Sequence, residues 1–141
     1  MNLSEMSHRL GVNIDLVQGA GGNTSEKLGD FMWIKASGFE LQEALDSDIF
    51  VKLDSHKCRA QIEAGFAEDL SSCNVEENGN RCRPSIETAL HCIMPHAVVA
   101  HTHSINTIAA SIVQHHRENL ASALEGYRWC IVPYAKPGKR R

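Results

Sequence analysis

The chain has 141 residues, enough for one domain with a sizeable core, since a chain near this length buries about two-thirds of its unfolded surface. Its 14 Lys and Arg against 17 Asp and Glu leave a net charge of −3, without the basic field that a nucleic-acid binder shows. No apolar run approaches the roughly 18–20 residues of a membrane helix, and Met1-Asn2-Leu3-Ser4-Glu5 lacks an apolar signal core, so neither nucleic acid nor membrane is an expected partner and the expected location is cytoplasmic.

Residues 3–10 are expected to form a short helix ended by Gly11, and Leu16-Val17-Gln18 a brief strand. The strand runs into Gly19-Ala20-Gly21-Gly22-Asn23-Thr24-Ser25, where three glycines in four residues allow close approach of backbone to a ligand. A dinucleotide fingerprint would open a helix at this point. Here Thr24–Leu28, Gly29-Asp30 and Phe31–Lys35 instead read as a hairpin, so nucleotide binding is rejected. Ala36-Ser37-Gly38 is a second small polar turn. A short helix near 40–45, a strand over 48–54, a weak helix over 55–71 and a polar exposed loop from Ser71 to Arg83 follow.

The next helix is expected after Pro84-Ser85, with Ser85 as N-cap, Ala89, Leu90, Ile93 and Met94 as its buried face, and Pro95 closing it. Ala97–His103 reads as a strand. Ser104 then caps a helix patterned by Ile105, Ile108, Ala109, Ile112 and Val113. A helix over 117–125 ends at Gly126, Arg128–Pro133 is a last strand, and Lys136, Lys139, Arg140 and Arg141 form a solvated basic tail. The five cysteines are an odd number without CxxC spacing, which argues against a disulfide framework or a zinc knuckle. Cys92 and Cys130 are expected to be buried.

His101 and His103 stand one residue apart, so on a strand they share a face with α-carbons roughly 6.6 Å apart. Such a pair is either a metal half-site, with Zn–N distances near 2.0–2.1 Å, or a hydrogen-bonded core pair. Glu87 at the start of the preceding helix could face the same cavity, although the helix dipole alone favours an acid there. His91, four residues on, lies on the same helical face and is expected to pack or hydrogen-bond.

Taken in order, Gly21-Gly22-Asn23-Thr24-Ser25, Ala36-Ser37-Gly38, Pro84-Ser85-Ile86-Glu87 and His101-Thr102-His103-Ser104 resemble the class II aldolase/adducin N-terminal domain family. The resemblance continues to Val132-Pro133-Tyr134-Ala135, so it covers nearly the whole chain. It implies an α/β fold, a three-layer α/β/α sandwich around a largely antiparallel sheet, usually assembled as a homotetramer. Residues 1–141 would then be a single domain whose C-terminal part is missing. The implied activity is cleavage or formation of a C–C bond in a sugar or sugar phosphate by a metal-dependent aldolase, with a Lewis acid stabilising the enediolate. An epimerase or decarboxylase of the family would use the same ligands, and a non-catalytic adducin-like assembly domain is the alternative from another class.

The resemblance makes His101 and His103 two of three histidine ligands to a divalent metal, commonly zinc, and Glu87 the general acid/base. Gly22, Asn23, Ser37, Gly38 and Ser85 would hold the substrate phosphate through backbone N–H and hydroxyl groups. Three departures stand against the pattern. Ile86 replaces a frequent second serine; Tyr127 and Tyr134 miss the position of the proton-donating tyrosine; and the third histidine, in a His-Gly segment, has no match within 141 residues.

Overall fold

A computed structural model describes residues 2–75 and 82–133. Contacts divide the chain into two compact units, Met1–Ile105 and Asn106–Arg141. In the first, helix α1 (Leu3–Gly11) opens on a capping box in which Asn2 Oδ1 accepts from Glu5 N and the Glu5 carboxylate accepts from Asn2 N. Strands β1 (Asn23–Leu28) and β2 (Phe31–Lys35) form the expected hairpin about Gly29-Asp30. The expected helix near 40–45 is a 3-10 turn, Leu41–Leu45. Strand β3 (Phe50–Asp54) leads directly into α2 (Ser55–Glu63), whose first turn is capped by the Asp54 carboxylate. Helix α3 (Thr88–Ile93) and strand β4 (Val98–His101) follow.

The sheet order is β3-β2-β1-β4 and every pairing is antiparallel. Alternation along the strands sends side chains to two covered faces. On one face Met32, Ile34, Val51 and Leu53 pack with Cys58 of α2 and Cys92 of α3. The opposite side carries α1 and the 3-10 turn, around Val17, Leu41, Ala44 and Ile49. Two adjacent residues of β1 mark the division. The Thr24 hydroxyl meets Ser7 of α1 at 2.7 Å, whereas the Ser25 hydroxyl meets His91 of α3 at 2.7 Å. Helices on both faces of an antiparallel sheet make the α/β sandwich that the sequence led us to expect.

Several expectations need correction. Leu16-Val17-Gln18 is not a strand: Leu16 N and Val17 N both donate to Asn13 O, a turn that drops Val17 into the core. Helix α3 begins two residues later than expected, with Glu87 rather than Ser85 as N-cap. Its buried residues are Thr88, His91 and Cys92, while Leu90 and Ile93 are 47% and 55% exposed. The strand with the histidines stops at His101, so His103 lies just beyond it. The weak helix expected over 55–71 ends at Glu63, with a 3-10 turn at Ser71–Cys73.

In the second unit, α4 (Ile105–Ser111) runs in from the boundary and α5 (His116–Ala123) precedes a turn at Gly126. Neither helix has a buried residue, so the apolar stripe at Ile105, Ile108 and Ile112 is exposed. Arg128–Pro133 forms no strand, and Cys130 is exposed while Cys92 is buried. Tyr134, Ala135, the basic tail and residues 76–81 of the polar loop lie outside the described residues. Among the described residues no helix is long and apolar enough to cross a membrane.

Candidate functional site

The site is assembled by backbone pairing before any side chain acts. Antiparallel register sets Asn23 of β1 directly across from His101 of β4. A bridge between Ala36 and Pro84, with Ser37 N donating to Arg83 O and Ser85 N to Lys35 O, lays the 84–87 segment beside the Lys35–Gly38 turn. His103 is fixed from a third direction, because its N–H donates to Leu16 O at 2.8 Å. The turn at 16–18 thus serves the site although it is not the strand expected there.

On this frame the side chains converge. His101 Nδ1 lies 2.7 Å from Glu87 Oε2, and Asn23 Nδ2 donates to the same carboxylate oxygen. An ionised carboxylate only accepts, so Nδ1 of His101 carries the proton and Nε2 is the nitrogen left over. Asn23 Nδ2 also reaches Ser85 Oγ at 3.1 Å, and Ser85 Oγ accepts from Glu87 N at 3.3 Å. Glu87 is thereby held at side chain and backbone. The rings of His101 and His103 stand 4.9 Å apart, edge to face.

Gly21 and Gly22 make room for both histidines. A Cβ on Gly21 would stand 2.9 Å from His103 Nδ1, and one on Gly22 would stand 2.9 Å from His101 O, where φ is also +65°. The cavity in front of this cluster has a volume of about 290 Å³. Gly22, Asn23, Ser37, Gly38, Ser85, Glu87 and His103 all line it, and His101 joins through its bond to Glu87. All eight residues singled out in the sequence are therefore brought together.

Lys35 was missed. The residue lines the same cavity, and its ammonium donates to Phe39 O at 2.6 Å and Ala20 O at 3.1 Å. Burial pushes its pKa below the ordinary lysine value, against the opposing pull of Glu87, Glu43 and Glu40. The available signal was a lysine at the end of an apolar strand, immediately before the Ala36-Ser37-Gly38 turn. Ile86, 72% exposed, gives the cavity an apolar wall.

His91 lies behind the site, fully buried, with Nδ1 on Ser25 Oγ and Nε2 without a hydrogen-bond partner. Burial foremost, with the charges of His101 and Lys27 adding and that of Glu87 opposing, pushes its pKa down to about 4.

Two imidazoles, one of them hydrogen-bonded to a carboxylate, are the donor chemistry of a divalent ion such as zinc. They would account for two ligands. Among the described residues no group of three or more His, Cys, Asp or Glu side chains is placed to hold a metal ion.

Comparison with known proteins points the same way. The family model for the class II aldolase and adducin N-terminal domain matches residues 2–141. The chain is 31% identical over 147 residues to the uncharacterized oxidoreductase YuxG of Bacillus subtilis (strain 168), an alignment that takes in 94% of this chain and 21% of that protein. It thus spans about a fifth of that relative's length. The structure of the N-terminal class II aldolase domain of a conserved protein from Thermoplasma acidophilum is similar with a TM-score of 0.79 at 25% identity, covering 97% of this chain and 68% of that one.

Proposed function

This chain belongs to the class II aldolase and adducin N-terminal domain family, and from that premise we propose that it is a metal-dependent aldolase-type lyase. Its substrate is a sugar or sugar phosphate, and it works in the cytoplasm as a homo-oligomer, the family's usual tetramer, with residues 1–141 belonging to a single domain. The observation that carries the reading is the hydrogen bond from His101 to Glu87 beside the His103 ring, at the wall of one cavity.

His101 and His103 would hold the divalent metal, zinc by their donor type. When bound, it supplies a Lewis acid for the charge that develops on oxygen as the C–C bond breaks. Glu87 is the acid/base: its carboxylate sits at the cavity wall, with donors from Asn23 and His101 fixing its direction. Gly22, Asn23, Ser37, Gly38 and Ser85 hold the polar end of the substrate through N–H and hydroxyl groups. The Lys35 ammonium favours an anionic group there, while Ile86 removes a hydroxyl that a phosphate would use.

A second reading, a non-catalytic adducin-like assembly domain, is favoured by one observation: among the described residues no group of three or more His, Cys, Asp or Glu side chains is placed to hold a metal ion. The test is release of a free carbonyl fragment from sugars and sugar phosphates with added zinc. The aldolase reading expects release by the wild type, reduced by about 10²–10⁴-fold in Glu87→Gln. No release from any sugar, in protein that carries zinc, supports the assembly domain instead.

A further inference from the structure

Residues 23 and 25 share one face of β1, and residues 87 and 91 stand one helical turn apart on α3. Strand and helix therefore meet twice. The outer contact is Asn23 to Glu87, in the cavity. The inner one is Ser25 to His91 at 2.7 Å, and both of its residues are fully buried. We infer that Ser25 and His91 are a positioning pair that sets the reach of Glu87 toward His101.

The connection from pair to carboxylate is short. His91 N donates to Glu87 O at 3.2 Å, so the residue pinned to the sheet also holds the Glu87 backbone. Burial of α3 supports the pair's role, because the helix keeps a polar residue inside while Leu90 and Ile93 face out. An apolar residue at 91 would satisfy burial alone. The imidazole instead leaves Nε2 without a partner, a cost that Ser25–His91 bonding offsets only in part. Directional anchoring explains why an imidazole stands there. His91 does not itself line the cavity and acts through Glu87.

This inference rests on the reading that Glu87 and His101 work as a unit. It is tested on the metal-free full chain by NMR of the His101 ring Nδ1 proton, identified by its loss in His101→Asn. Loss of that resonance in His91→Leu, with the melting transition kept, is expected. Its return in His91→Asn, which keeps a polar atom near the Nδ1 position, is also expected. If His91→Leu does not fold, Ser25→Ala removes one oxygen and carries the same expectation. A resonance absent from the wild type, or unchanged in a folded His91→Leu or Ser25→Ala, overturns the inference. Zinc titration of the same samples separates the two claims. Affinity reduced roughly tenfold in the variants accompanies a true positioning role, whereas a wild type that takes up no zinc while the proton responds refutes the metal site and leaves the pair standing.

Discussion

Asn23 and Glu87, 64 residues apart in sequence, meet through a side-chain hydrogen bond, and the same carboxylate oxygen takes His101 Nδ1 at 2.7 Å. Glu87→Gln keeps the shape and removes the charge. Catalysis is expected to fall by about 10²–10⁴-fold, the usual worth of a positioned acid/base, in a carbonyl-release assay. Zinc affinity, which depends on Glu87 only through His101, is expected to fall by roughly 10–100-fold and not vanish.

The two adjacent glycines predict separable effects. Gly22→Ala places a Cβ against the His101 carbonyl at φ +65°, so it is expected to cost about 1–2 kcal/mol or more in urea unfolding. Gly21 has no positive φ, and its Cβ would stand 2.9 Å from the backbone oxygen of Gln18 as well as from His103 Nδ1. Gly21→Ala is therefore expected to weaken zinc binding in addition to the fold, as read by titration beside a melt.

Buried His91 makes stability depend on pH. The unfolded chain takes up a proton near the ordinary value of 6.5, and the folded chain only near about 4. Between those values the unfolded state binds more protons, so stability is lost as pH falls from about 6.5 toward 4. The 2.5-unit gap corresponds to at most about 3 kcal/mol. Denaturant midpoints across that window should slope for the wild type, and the slope should flatten in His91→Leu.

Strand register predicts opposite outcomes for two leucines of the sheet. Leu53 of β3 is fully buried in the core and Leu28 of β1 is 71% exposed. Leu53→Ala is expected to cost about 2–5 kcal/mol, and Leu28→Ala to stay within about 0.5 kcal/mol of the wild type. Chemical denaturation of both variants measures the difference.

What could be read in the sequence was whatever local chemistry decides. The Gly29-Asp30 turn between alternating segments identified the hairpin, and the residues at 22, 23, 37, 38, 85, 87 and 103 line one cavity, with His101 bonded to Glu87. Apolar periodicity served less well. It shows which face of a helix can be buried and says nothing of whether another element covers it. Hence Leu90 and Ile93 were assigned to the core, which in fact takes His91 because Ser25 waits there with a hydroxyl. Ile108 and Ile112 are exposed for the same reason, with no element among the described residues burying them. Lys35 escaped notice because a lysine at a strand end reads as solvated, whereas two backbone carbonyls, Ala20 and Phe39, satisfy it inside.

The central claim is that His101 and His103 act together on one divalent ion beside Glu87. Zinc titration followed by the ring ¹⁵N resonances of the wild-type chain tests it most directly. The account predicts that both rings shift in concert and saturate at one equivalent, and that His103→Ala abolishes the response at His101. Shifts confined to the other histidines, or an unaltered His101 response in His103→Ala, would contradict it.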